Sequence, residues 1–147
     1  MFIAIGGAPG HIQEYKNLAE QIGVADNSQF LAQVTQDKLA IYQQACDIML
    51  MPFPWTEHYA YFMSPLKMFE NMASGRPIIA TDLPAIKEVL NEKNSVLISP
   101  DNPVGLARGI IKLIEDSNLG DKLASQASLD VKQYTWHNRV EKIINFL

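Results

Sequence analysis

Apolar positions along this chain fall into two rhythms: short unbroken runs, and longer stretches where they recur every three or four residues. Runs at Phe2-Ile3-Ala4-Ile5, Gln29 to Val34, Ile48 to Met51, Ile78 to Thr81 and Ser95 to Ile98 predict strands. The helical rhythm runs through Ile12, Tyr15, Leu18, Ala19 and Ile22, where Gly23 ends it. It returns at Leu39, Tyr42 and Ala45, behind a capping Thr35 and with Asp37 in the first turn. A short helix is predicted from Pro84 to Leu90, and the chain closes on three more: Pro103 to Glu115, Leu119 to Lys132, and Thr135 to Leu147. Strands that are apolar throughout, alternating with helices, belong to a parallel sheet covered on both faces. The expectation is an α/β fold, a single Rossmann-like three-layer domain over residues 1–147, with a parallel sheet of about five strands.

The stretch with the clearest boundaries is Ser64-Pro65-Leu66-Lys67-Met68-Phe69-Glu70-Asn71-Met72-Ala73-Ser74-Gly75-Arg76-Pro77. Ser64 is a favoured N-cap and Pro65 suits the first helical position. Gly75 can take the left-handed conformation that closes a helix, and Pro77 prevents its resumption. Leu66, Phe69 and Ala73 share one face, while Lys67, Glu70 and Ser74 line another. First-turn amides beside a lysine form an anion site. Glu70 is expected about one turn beyond Lys67 and about two turns from the helix start. That row of groups suits a phosphate followed by a sugar with hydroxyls. The same spacing also describes an ordinary amphipathic helix with a solvated Lys-Glu face.

Composition narrows the partners. With 48% hydrophobic and 19% charged residues the chain is globular rather than disordered. A net charge of −4 without any Lys/Arg run gives no footprint for nucleic acid or an anionic membrane surface. No apolar run reaches membrane-spanning length. Cys46 is the single cysteine, which excludes an internal disulfide and fits a reducing, cytoplasmic setting. No signal peptide is expected, because Met1 leads directly into Phe2-Ile3-Ala4-Ile5. His11, His58 and His137 are scattered, so no metal constellation and no cofactor is expected.

The string Ser64-Pro65-Leu66-Lys67-x-Phe69-Glu70-x-Met72-Ala73-x-Gly75-x-Pro77-Ile78-Ile79-Ala80 resembles the donor-binding motif of GT-B glycosyltransferases of the retaining group 1 family. Weaker landmarks follow in the family's order: Ile3-Ala4-Ile5-Gly6-Gly7, Phe30-Leu31-x-x-Val34, Tyr42-x-x-Ala45-Cys46-Asp47-Ile48, Met51-Pro52, Asp82-Leu83-Pro84-x-x-x-Glu88 and Tyr134-Thr135-Trp136. The resemblance implies the C-terminal, nucleotide-sugar-binding domain of an enzyme that moves a sugar from a UDP- or GDP-type donor to an acceptor. It implies Glu70 at the ribose hydroxyls, the helix start with Ser64, Pro65, Leu66 and Lys67 at the diphosphate, and Val34 near the base. Gly6-Gly7-Ala8-Pro9-Gly10 follows a strand and precedes a helix, so Gly6 and Gly7 form either a phosphate-binding turn or a plain tight turn.

Two departures matter. The family often places a second glutamate, which meets the donor sugar, where this chain has Phe62, and Met63-Ser64-Pro65 replaces the glycine-rich part that follows it. No residue is therefore assigned a catalytic role. The family's N-terminal acceptor domain and the first βα unit of its C-terminal domain also lack counterparts, since Phe2 to Ile5 matches the second strand. The remaining strands would then re-close in flavodoxin-like order 2-1-3-4-5, or be completed from outside this chain. Alone, such a fragment is expected to be inactive.

The loop from Phe53 to Met63 is rich in aromatics and suits sugar stacking, a lid, or simple local packing. Two alternatives remain: a GT-B type sugar-nucleotide epimerase, whose acid/base residues are not in view, and a non-catalytic flavodoxin-like binding or receiver module. A receiver fits poorly, because Asp47 starts its strand and Asp82 lies in a loop without acidic companions. Trp136, Val140, Ile143, Ile144 and Leu147 form an apolar stripe on the last helix. It is expected to pack on a further domain or to drive self-association.

Overall fold

Residues Ile78–Thr81 form a strand buried on both faces, which is why its run is apolar without alternation. It is β4 of a computed structural model that describes residues 1–146. Before it come β1 (Phe2–Ile5), α1 (Pro9–Gln21), β2 (Ser28–Leu31), α2 (Gln36–Ala45), β3 (Met49–Met51) and α3 (Leu66–Ala73). After it come α4 (Pro84–Lys87), β5 (Val96–Ile98), α5 (Pro103–Glu115), α6 (Ser117–Asp130) and α7 (Trp136–Ile144). The chain folds as two compact units, Met1–Ile41 and Tyr42–Leu147.

In the second unit β3, β4 and β5 form a parallel sheet, with Met51 opposite Ala80 and Thr81 opposite Ile98. Successive side chains of β4 point to opposite faces, and each face has its own core. Ile78 and Ala80 pack with Met51, with Met68 and Met72 of α3, and with Leu83, Ile86 and Leu90. Ile79 packs with Leu113 of α5 and Leu123 of α6, backed by Val96, Ile98, Leu106 and Ile110. The helix ends are secured chemically: Asn102 accepts from the Gly105 N–H at 2.8 Å, and Asp116 from the Leu119 N–H at 2.9 Å. That second cap starts α6 at Ser117, two residues earlier than the apolar spacing predicts.

The first unit is smaller. Its β1 and β2 pair in parallel from Phe2 opposite Ser28 to Ile5 opposite Leu31, with α1 as the crossover. Tyr15 of α1 stacks on Phe30 at 6.1 Å between ring centres and 10° between planes, and Phe2 meets Phe30 edge-on.

All five strands lie in parallel sheets, yet among the described residues they form two sheets, β1-β2 and β3-β4-β5, rather than one. The re-closed 2-1-3-4-5 order is not formed. Strands of three or four residues supply few ladder bonds, and each pairs within its own unit. β2 also stops at Leu31, short of the expected Val34, and an irregular segment leads to α2. The helix expected from Pro84 to Leu90 is one α-turn, continued by Leu90 N–H bonding to Ile86 at 2.8 Å. The aromatic loop is not structureless: His58–Phe62 forms a π-helical turn, its entry pinned by Tyr59 N–H on Thr56 Oγ1 at 3.1 Å.

Candidate functional site

The Ser-Pro-Leu-Lys segment enters α3 one residue later than the sequence suggests. Pro65 has extended backbone, φ −76 and ψ 118, and its carbonyl accepts from the Met68 N–H at 3.0 Å. Pro65 is therefore the cap, Leu66 the first helical residue, and exposed Ser64 lies one position before the cap. At the other end Gly75 adopts φ 72, the left-handed closure its position calls for.

The face of α3 that meets the core consists of Met68, Asn71 and Met72. Leu66 is 63% exposed and Ala73 is also exposed, so the Leu66–Phe69–Ala73 face is not the buried one. Phe69 is half-buried and lies 5.2 Å from the Tyr134 ring. With Leu66 opening the helix, Glu70 sits about 6 Å along its axis, one turn from the start rather than two. Lys67 and Glu70, three residues apart, share one flank of the first turns. The leading amides of that turn precede the helical ladder and present partial positive charge beside the lysine.

Lys67 is not simply solvated. Its ammonium lies 4.2 Å from the centre of the Phe53 ring, and desolvation lowers its pKa from the ordinary 10.5. The residue keeps solvent access on its outer side, so the ring and its surroundings remove only part of the hydration shell. Phe53 leads out of β3, with its N–H on the Met51 carbonyl at 3.0 Å, and its ring packs 5.2 Å from Tyr59. Both rings rest on the core beneath α3.

The rest of the loop divides by burial. Ala60 and Met63 pack inward, whereas Trp55, Tyr61 and Phe62 are exposed, Trp55 and Tyr61 edge-to-face at 5.9 Å. Trp55 N–H is held by Asp101 Oδ2 at 3.0 Å, and Asp101 itself adopts φ 54. Sequence reasoning named Phe53 only as part of the aromatic loop and passed over both its contact with Lys67 and Asp101, to which nothing local pointed.

In the first unit, Gly6 and Gly7 take φ 105 and 97, and the Gly6 N–H bonds the Leu31 carbonyl at 3.0 Å. A Cβ at Gly6 would meet nothing within 4 Å, so the turn's conformation, not crowding, requires glycine. Val34 is half-buried and follows β2 at the same carboxyl-end edge of that sheet. An apolar cavity of about 500 Å³ in this unit is lined by Phe2, Tyr15, Leu18, Ile22 and Phe30. No charged side chain lines it. Among the described residues no three His, Cys, Asp or Glu side chains gather to hold a metal ion, and no helix is long and apolar enough to cross a membrane.

Parallel βα units with a glycine turn after the first strand define a Rossmann-like α/β class of domain. The family model described as "Glycosyl transferases group 1" matches residues 1–116, and the chain belongs to that family. An uncharacterized glycosyltransferase of Methanocaldococcus jannaschii is 25% identical over 146 residues, covering 97% of this chain and 36% of the relative. The sucrose-phosphate synthase of Thermosynechococcus elongatus superposes with a TM-score of 0.84 at 20% identity, over 98% of this chain and 37% of that one. The Anabaena HepE protein, solved with UDP-glucose, superposes with a TM-score of 0.76 at 21% identity, over 99% of this chain and 40% of that one. The chain thus spans about a third of the length of the curated relative, and its fold is that of a GT-B C-terminal domain.

Proposed function

We propose that this chain is the donor-binding half of a retaining glycosyltransferase that moves a sugar from a UDP- or GDP-type nucleotide sugar to an acceptor. The observation that carries the reading is the pairing of Lys67 and Glu70 on the first turns of α3, in a chain of this family. Lys67 and the amides at the Ser64-Pro65-Leu66 entry face the diphosphate, and Glu70 accepts hydrogen bonds from the ribose hydroxyls. Gly6 and Gly7 let backbone approach the donor, and Val34 lies by the base. The UDP-glucose bound to the structurally similar Anabaena protein is a donor of the proposed class.

A Rossmann-like acceptor domain supplies the other half of the cleft and covers the apolar stripe of α7, so residues 1–147 represent one C-terminal-type domain of a larger enzyme. The cytoplasm is the proposed compartment. Calorimetric titration of the intact protein with UDP, GDP and ADP tests the donor class. Binding of UDP or GDP in preference to ADP is expected, and no binding of any nucleoside diphosphate would overturn the reading.

A further inference from the structure

We propose that Phe53 is a positioning residue for Lys67: its ring seats the ammonium so that one side rests on the aromatic face and the other meets the donor's diphosphate. The inference rests on the donor-binding reading above and deepens it, because it gives one ring of the aromatic loop a defined part beside Lys67. Lysine is a flexible four-carbon stem with a strongly hydrated tip, and ordering it costs rotamer freedom. On an exposed first turn such a side chain would ordinarily wander. Here the ammonium lies 4.2 Å from the Phe53 ring centre, within the range where the ring quadrupole attracts a cation.

The seat itself is fixed. Phe53 is half-buried, packs against the core and is backed by Tyr59 at 5.2 Å with 33° between planes. Tyr59 is held in turn by its N–H on Thr56 Oγ1 at the start of the π-helical turn. The lowered pKa of Lys67 agrees with an ammonium that has shed part of its water. A cation already ordered and partly desolvated loses less on meeting a phosphate than a free one. The ring covers a single side of the ammonium, which leaves donor protons for the anion.

A double-mutant cycle on the intact protein tests this, read as dissociation constants for UDP and for uridine. Phe53→Leu is expected to weaken UDP binding about 3- to 10-fold while leaving uridine binding within about twofold. In a Lys67→Ala background the same change should cost nothing further, and Phe53→Tyr, which keeps the ring, should restore UDP binding. Unchanged uridine affinity reports a folded site, so a merely structural role for Phe53 would show as equal losses for both ligands and would overturn the proposal. So would UDP binding that is unaffected or strengthened in Phe53→Leu while Lys67→Ala still weakens it; the donor-site reading would then stand without this one. If Lys67→Ala leaves UDP binding intact, this proposal falls together with the diphosphate role of Lys67, whereas absence of UDP binding in the unaltered protein would sink the donor-binding reading itself.

Discussion

Asn94 and Asp130 are joined by a 2.8 Å hydrogen bond from Nδ2 to Oδ2, which ties the turn before β5 to the last turn of α6. Asn94 is wholly buried, and every arm of its side chain is used: Nδ2 also donates to the Val89 carbonyl at 3.2 Å, and Oδ1 accepts from the Asn91 N–H at 2.8 Å. Asp130 is steadied from its own helix by Gln126 Nε2 at 2.7 Å. Replacing Asn94 by Leu removes three bonds and takes their partner from the part-buried Val89 carbonyl, Asn91 amide and Asp130 carboxylate. We expect a loss of about 1–3 kcal/mol in unfolding free energy, measured by urea denaturation, with donor binding by the folded fraction unchanged.

Glu70 carries the next prediction. If it receives two ribose hydroxyls, each charge-assisted bond contributes about 1.5–3 kcal/mol, and Glu70→Ala should be the most costly single loss at the site. Calorimetry on the intact protein should show UDP affinity falling at least about tenfold. The 2′,3′-dideoxy analogue should bind both forms alike, since it lacks the hydroxyls in question. Equal UDP affinity in the two forms would remove Glu70 from the site.

Lys67 yields a salt and pH signature. Lys67→Ala should weaken UDP far more than uridine, and the difference should shrink as ionic strength rises. Because desolvation lowers the Lys67 pKa below 10.5, UDP affinity should begin to fall with rising pH earlier than an ordinary lysine would dictate. The stability term runs the opposite way. A pKa lowered by folding means that the folded state disfavours the charged form. That cost is fully present below the folded pKa and is lifted as pH rises towards the unfolded value. Lys67→Gln should therefore lose donor affinity without lowering the thermal midpoint.

Gly75 shows how a sequence feature and a geometry coincide. It has φ 72, and a Cβ built there would meet nothing within 4 Å. Gly75→Ala therefore tests conformation alone and should cost about 1 kcal/mol by thermal or urea unfolding. A neutral substitution would show that the left-handed closure of α3 is dispensable.

Local chemistry explains which parts of this fold were legible. The strand Ile78–Thr81 and the helix Pro103–Glu115 lie where apolar pattern and end signals put them, because both signals act within a few residues. What depended on distant partners was not legible. Leu66, Met68, Phe69, Met72 and Ala73 give α3 apolar residues on several sides, so sequence could not say which flank the sheet would cover, and Met68 and Met72 took it. Pairing of β1 with β2 and of β3 with β4 is a tertiary outcome, and the split into two sheets had no local marker. Lys67 and Glu70 were legible as a pair because three residues of helix fix their neighbourhood. Phe53 was not, because its partner lies fourteen positions away, beyond a π-helical turn.

The final prediction concerns the 147 residues expressed by themselves: they should bind nucleotide weakly and transfer no sugar. Transfer requires the acceptor to be held against the departing phosphate, and much of the rate comes from that positioning. The chain spans 36% of its Methanocaldococcus relative, and the acceptor half is a proposal beyond these residues. The proposed docking face for that half is the apolar stripe of α7. Trp136, Val140, Ile143 and Ile144 of α7 are all more than half exposed, Trp136 at 71%. An apolar stripe of that kind, left uncovered, finds another copy as protein concentration rises. Sedimentation velocity should show concentration-dependent association, which Ile143→Glu with Ile144→Lys should abolish while leaving UDP affinity intact. Robust turnover of a UDP- or GDP-sugar by the monomeric 147-residue chain would contradict the division of labour proposed here.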